Sequence, residues 1–149
     1  MIRQARLEDL DGIHRLEAEC FENAWNRRMI EGELRGANRV DLVAVDDGRI
    51  IGYVLSMRIV DEVHVNKIGV ESGWRRRGVA NELMKVVEAI AAKANCERIT
   101  LEVRESNSAA QAFYRARGFY VDHVRPRYYA NREDAVFMSR SVGGNEIEN

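Results

Sequence analysis

Between a strand-like segment and an amphipathic one lies the run Arg75-Arg76-Arg77-Gly78-Val79-Ala80. The first backbone N–H groups of a helix have no intrahelical partner, and the helix dipole adds partial positive charge at that end. A strand–loop–helix carrying a glycine therefore suits a pyrophosphate. Gly78 lets the backbone approach, Ala80 keeps the helix start uncrowded, and the arginines add charge at the rim. A solvated basic turn is the alternative reading of the same residues. Two other nucleotide loops, GxxxxGK[ST] and GxGxxG, do not occur anywhere in the chain. Further on, Glu102 is an acidic residue inside the mostly apolar run ITLEVR. It is either a proton acceptor or a solvent-face carboxylate paired with Arg104. His64, in the run VHVNKIGV, has a side chain whose reference pKa near neutrality suits proton transfer, or it is a strand histidine with no catalytic part.

These groups need a scaffold, and the composition allows one. At 149 residues the chain fits one domain, and 46% hydrophobic content is enough to build a core. Residues 1–142 are expected to form that domain, with 143–149 as a flexible tail. Lys and Arg (23) nearly cancel Asp and Glu (24), which removes the basic excess of a general nucleic-acid binder. Cys20 and Cys96 lie far apart, with no CxxC or Cys/His cluster, so neither a disulfide framework nor a metal site is expected and a reducing cytoplasm is the expected compartment. The opening MIRQARLEDLDG has no apolar signal region, and no apolar run reaches membrane-spanning length, so a soluble protein is expected.

The periodicities supply the elements. IRQA is strand-like, and Leu10, Ile13, Leu16, Glu17, Cys20 and Phe21 recur with a helical period. A short helix is expected from Arg27 to Leu34. DLVAV, Asp46-Asp47-Gly48 and RIIGYVLSMRIV read as a β-hairpin, followed by a strand at VHVNKIGV. From Val79 a helix runs on, with Val79, Leu83, Val87 and Ile90 or Ala91 inward and Glu82, Lys85, Glu88 and Lys93 solvated. A strand at RITLEV follows, then a helix from about Ser108 to Arg117 capped by Ser106 or Asn107 and stopped at Gly118. FYVDHV and DAVFMSRSV close the chain. The order β-α-α-β-β-β-α-β-α-β-β predicts an α/β fold with a mixed sheet and helices on both faces.

The 75–80 run resembles motif A of the GNAT superfamily of N-acetyltransferases, [Q/R]-x-x-G-x-[G/A], and the resemblance covers nearly the whole chain, including the order of elements. Two stretches narrow it. LEVRESNSAAQAFYRARGF at 101–119 and RYYANREDAVFM at 127–138 resemble the RimI-type ribosomal-protein N-terminal acetyltransferases and their archaeal relatives. The combination LEVR-x-SN, Y-x-x-x-GF and YY-x-x-x-EDA is far more specific than motif A.

The resemblance implies a GNAT fold, a mixed central sheet of about six to seven strands whose splayed central strands hold acetyl-CoA. It places Arg75, Arg76, Arg77, Gly78, Val79, Ala80 and Asn81 at the pyrophosphate and Asn107 on the CoA chain. Main-chain groups of Ile68, Gly69 and Val70 are implied to bond the pantetheine and the acetyl carbonyl. Glu102 is implied as proton acceptor, Tyr114 as proton donor to the departing thiolate, and His64 as a second base. The alternative for Tyr114 is a core tyrosine packed on Phe113, and for Asn107 a helix cap. Tyr128, Tyr129, Trp25 and His64, with Phe21, are implied on the substrate side, with plain packing as the alternative for the aromatic residues. Where the family commonly has Pro-Trp this chain has Ala24-Trp25, a departure that bears on the entry loop and not on the chemistry.

The implied reaction is direct acetyl transfer from acetyl-CoA to the α-amino group of a protein N-terminus, a ribosomal protein among the candidates. An α-amine, with pKa near 7.7–8.0, is partly neutral at pH 7, whereas a lysine amine near 10.4 is not. A GNAT acting on lysine, a polyamine or an antibiotic fits motif A equally well but leaves the RYY…EDA match unexplained. A non-catalytic acetyl-CoA-binding module would need the loop but not Glu102 and Tyr114 together. No metal, nucleic acid or membrane partner is implied.

Overall fold

The computed structural model describes residues 1–142, so the expected tail at 143–149 lies outside the described residues. Strands β1 (Ile2–Gln4), β2 (Leu42–Asp46), β3 (Arg49–Ile59), β4 (Glu62–Val70), β5 (Arg98–Arg104), β6 (Tyr120–Arg125) and β7 (Ala135–Ser141) form one sheet in the order β1-β2-β3-β4-β5-β7-β6. Helices α1 (Leu10–Cys20), α2 (Arg27–Arg35), α3 (Val79–Lys93) and α4 (Ser108–Ala116) complete the expected order.

The two faces follow from strand alternation. On one, α1 and α2 bury Ile13, Leu16 and Ile30 against Val43, Tyr53 and Leu55. On the other, α3 and α4 bury Leu83, Met84, Val87 and Tyr114 against Leu42, Val54, Val65, Leu101 and Val103. Ala91, not Ile90, takes the last inward position of α3. Glu88 departs from its expected solvated place, because Arg117 (2.8 Å) and Arg140 (2.7 Å) converge on its carboxylate. Local chemistry sets the ends. Asn26 and Asn107 each accept from a backbone N–H three residues on, capping α2 and α4. Asp47 and Gly48, both at positive φ, close the tight β2–β3 hairpin.

One pairing differs in kind. β4 and β5 run parallel, and their ladder covers only Glu62↔Arg98 to Val65↔Leu101. Beyond it, β4 stays with β3 and β5 stays with β7. Residues 66–70 and 102–104 therefore part from one another, which is the expected splay.

Candidate active site

The splay opens a cavity of about 410 Å³. Because side chains alternate across a strand, its walls come from both faces of the sheet. Val65, Leu101, Val103, Ala110 and Tyr114 form the wall on the α3–α4 side. Glu102, Arg104, Phe21, Trp25, Lys67 and Tyr129 form the other. The opening thus passes through the sheet, with Tyr114 reached from one side and Glu102 from the other.

Ladder phase decides which main-chain groups face the gap. The Glu71 N–H donates to Ile51 O at 2.8 Å, so this pair is a hydrogen-bonded one. Antiparallel pairs alternate, which makes Gly69–Tyr53 the next hydrogen-bonded pair and turns Ile68 and Val70 toward the open side. Gly69 therefore does not offer free main-chain groups, contrary to the expectation for it. Its glycine serves packing, since a Cβ there would meet the Tyr53 ring at 2.7 Å. The Val70 carbonyl is also engaged, accepting from Arg75 Nε (3.1 Å) and Cys20 Sγ (3.4 Å). Ile68, among the cavity-lining residues, keeps its main-chain groups toward the gap.

The loop into α3 divides its arginines. Arg75 reaches back to β4, while Arg77 stacks on Trp74 (4.2 Å) and lines a groove with Gly78, Val79 and Glu82 at the start of α3. Arg75 is thus drawn away from the helix start, Arg77 stays beside it, and Arg76 is exposed. Asn81's side-chain oxygen is taken by Arg117, so only its backbone remains to donate. Gly78 sits at φ +84 with nothing within 4 Å of a would-be Cβ, and no side chain caps the helix. The N–H groups of Val79, Ala80 and Asn81 are the unpartnered donors of a helix first turn. An open, donor-rich corner of this kind fits a pyrophosphate.

Glu102 pairs with His64, not Arg104: Oε1 lies 3.7 Å from His64 Nε2. The Glu102 carboxyl is held below the usual carboxylate range, chiefly by His64, with Tyr128 and Arg125 adding to this and burial opposing it. Arg104 pairs with Glu133 at 3.4 Å and stacks on Tyr129 at 3.9 Å. Burial, helped by the Glu102 charge, pushes Tyr129 up to about 12. Tyr128 packs edge-on against Tyr129 and lies beside Glu102, whose charge raises it. Tyr114 is a core tyrosine, edge-on to Phe113 and Phe119, that also lines the cavity. Burial raises its phenol and keeps it protonated. Asn107 likewise caps α4 and lines the cavity.

A cluster beneath the entry loop went unread as such. Glu17, 1% exposed, accepts from the Tyr53 hydroxyl, from Trp25 N at 2.9 Å and from Lys67 Nζ at 3.0 Å. The Lys67 ammonium in turn lies over Phe21 at 3.7 Å. The pairing ties the α1–α2 loop to β4. The available signal was a glutamate in the inward phase of an apolar stripe.

With this geometry, comparison with known proteins is direct. Residues 10–119 match the Acetyltransferase (GNAT) family. An uncharacterized N-acetyltransferase of Methanocaldococcus jannaschii is 33% identical over 139 residues, which is 93% of this chain and 89% of that protein. The chain belongs to the Acetyltransferase (GNAT) family. An N-alpha-acetyltransferase of Sulfurisphaera tokodaii is 30% identical over 151 residues, covering 93% of this chain and 90% of that protein. The crystal structure of the ribosomal-protein-S18-alanine N-acetyltransferase from Escherichia coli shares the fold at a TM-score of 0.89 and 24% identity, over 95% of this chain and 93% of that one. No described helix is long and apolar enough to cross a membrane.

Proposed function

We propose that the protein transfers the acetyl group of acetyl-CoA to the α-amino group of a protein N-terminus. The observation that carries this reading is the through-sheet cavity, with an acid–base pair on one side and a buried phenol on the other. The thioester arrives from the α3–α4 side. The first-turn N–H groups of α3, with room at Gly78 and charge from Arg76, hold its pyrophosphate, and main-chain groups of Ile68 and the Asn107 side chain hold the arm. The peptide enters past Phe21, Trp25 and Tyr129. A relative named N-alpha-acetyltransferase over nine-tenths of the chain supports the α-amine over lysine as acceptor.

The chemistry divides among this chain's residues. The Glu102–His64 pair takes a proton from the α-ammonium to free the amine, whose nitrogen attacks the acetyl carbon directly as the C–S bond breaks; the second proton, shed by the new amide nitrogen, leaves to solvent. Glu102 alone is a weak base at neutral pH because its carboxyl is held low. Its anion instead stabilises the imidazolium formed when His64 accepts the proton. Tyr114 faces the departing sulfur. A thiol titrates near 8.5 and an ordinary phenol near 10, and burial raises Tyr114 further. Full proton transfer to the thiolate is therefore uphill, so Tyr114 stabilises it as a hydrogen-bond donor.

The test supplies acetyl-CoA and a panel of N-terminal peptides, each also prepared with a blocked α-amine and a free lysine, with mass spectrometry locating the acetyl group. Acetylation of the α-amine is expected. Faster transfer to the blocked lysine peptides would overturn the reading.

A further inference from the structure

The face of the sheet that carries Glu102 carries more than a pair. Parallel register sets Glu62 beside Arg98 and His64 beside Thr100, and alternation turns all four side chains to the same side as Glu102. They form a chain of contacts. Arg98 Nε lies 3.3 Å from Glu62 Oε1. The Thr100 hydroxyl donates to Glu62 Oε2 at 3.1 Å. His64 Nδ1 lies 2.8 Å from the same Thr100 oxygen.

Donor counting gives one self-consistent direction to each bond. A carboxylate has no hydrogen to give, and a hydroxyl has one. With Glu62 held as an anion by Arg98, Thr100 spends its hydrogen on Glu62. Its oxygen can then only accept from His64, so the imidazole carries its hydrogen on Nδ1. Nε2 is left as a lone pair on the Glu102 side, and the ring acts on the Glu102 carboxyl as a donor only once that nitrogen takes a proton. Without this arrangement the ring's best bond would be an Nε2–H donated to the Glu102 carboxylate, and the nitrogen facing the substrate could not take a proton.

We infer that Thr100 and Glu62 are positioning residues, which hold His64 in its Nδ1–H tautomer so that Nε2 is the atom receiving the amine proton. The inference rests on the functional reading above. In balance, one amine N–H bond breaks and an Nε2–H bond forms. The resulting imidazolium is bracketed by the Thr100 oxygen and the Glu102 carboxylate, and the proton leaves to water after the product.

The tautomer is directly observable. The chain has three histidines, and ring nitrogen shifts from 15N–1H correlation spectra, with His64→Gln for assignment, report which nitrogen of His64 is protonated. Wild type is expected to show Nδ1–H in the neutral ring. Thr100→Val should revert it to Nε2–H and lower kcat by ~100-fold, the low end of general-base effects, with peptide KM within about twofold, since Thr100 touches no substrate. Thr100→Ser, which keeps the hydroxyl, should restore both, and Glu62→Gln, which can donate to Thr100, should flip the tautomer as valine does. A Thr100→Val enzyme that keeps Nδ1–H, or that flips with unchanged kcat, would overturn the inference. The two ideas fail separately. A wild type that acetylates α-amines but carries Nε2–H overturns the positioning role alone. A wild type that carries Nδ1–H but acetylates no α-amine overturns the functional reading.

Discussion

Replacing Glu17 by Ala strips one buried carboxylate from three donors: the Tyr53 hydroxyl, the Trp25 N–H and the Lys67 ammonium. Breaking a buried ion pair from one side costs ~3–5 kcal/mol, because the surviving charge is left uncompensated. Each orphaned neutral donor adds ~1–3 kcal/mol if it finds no water. Two features moderate the sum. The Lys67 side chain is 17% exposed and lines the cavity, so it can swing into water, and the void left by the shortened side chain adjoins that cavity. A loss of about 3–5 kcal/mol is therefore expected, with the orphaned donors partly rehydrated. For a chain of this size ~1 kcal/mol corresponds to about 2–4 °C in Tm, so thermal unfolding should move down by roughly 6–20 °C.

The double variant Glu17→Met/Lys67→Met discriminates the cause. Replacing both members of a buried pair by apolar groups is often neutral or better, so it should recover more than half of the loss. Its peptide KM should nevertheless rise, because Trp25 has lost the anchor that fixes the entry loop, while acetyl-CoA binding stays unchanged. Circular-dichroism melts give the first quantity and initial-rate kinetics the second. A Glu17→Ala protein melting within about 2 °C of wild type, or a double variant no more stable than the single, would refute the argument that this ion pair is what ties the loop to β4.

Other variants probe the remaining groups. Tyr114→Phe removes a hydrogen bond to a developing thiolate, worth ~1.5–3 kcal/mol, so kcat should fall about 10- to 150-fold with acetyl-CoA binding retained; an unchanged kcat in a chemistry-limited assay would remove Tyr114 from the reaction. Glu102→Gln should slow transfer most below pH 7 and converge on wild type above about pH 8, where the α-amine arrives neutral; parallel kcat/KM profiles would deny Glu102 any part in proton removal. Because the Glu102 pKa is lower folded than unfolded, the unfolded chain binds more protons as pH falls; wild type should thus lose more stability than the Gln variant on acidification below about pH 5, read by melts across pH. Gly78→Trp should fold yet abolish acetyl-CoA binding in calorimetry, since the position opens on free space. Gly69→Ala should cost ~1–3 kcal/mol of overpacking against Tyr53, a melt lower by roughly 2–12 °C.

Much of this architecture is legible in the chain. The helix after Gly78, the Asp47-Gly48 hairpin and the alternating run 98–104 carry local periodicity or turn chemistry, and each stands where its pattern places it. The resemblance in LEVR-x-SN points to residues that line one cavity, among them Glu102, Arg104 and Asn107. What escapes local pattern is direction and partnership. That Gly69 faces β3 while Ile68 faces the gap depends on the phase of a ladder, which no single strand encodes. That Arg75 bonds back to Val70 while Arg77 stacks on Trp74 depends on how a three-arginine loop folds on itself. Glu17 was visible in an apolar stripe, but its partner Lys67 lies fifty residues on in the sequence, on another element.

The position of the site follows from one choice of topology. Parallel neighbours cannot be joined by a tight turn, so β4 must reach β5 through a crossover, here α3. A crossover helix starts where its strand ends, which puts the unpartnered N–H groups of α3 at the carboxyl end of β4. Parallel strands also have their carboxyl ends at the same edge, so when the β4–β5 ladder stops at Val65 and Leu101 the gap opens at that end too. The start of α3, the Ile68 main chain and the Glu102 carboxylate are therefore all set at the carboxyl ends of β4 and β5. An antiparallel β4–β5 hairpin would place the end of one strand beside the start of the other, with no helix start between them. The mixed sheet is for this reason what the proposed chemistry rests on, at the one parallel pair among the described strands.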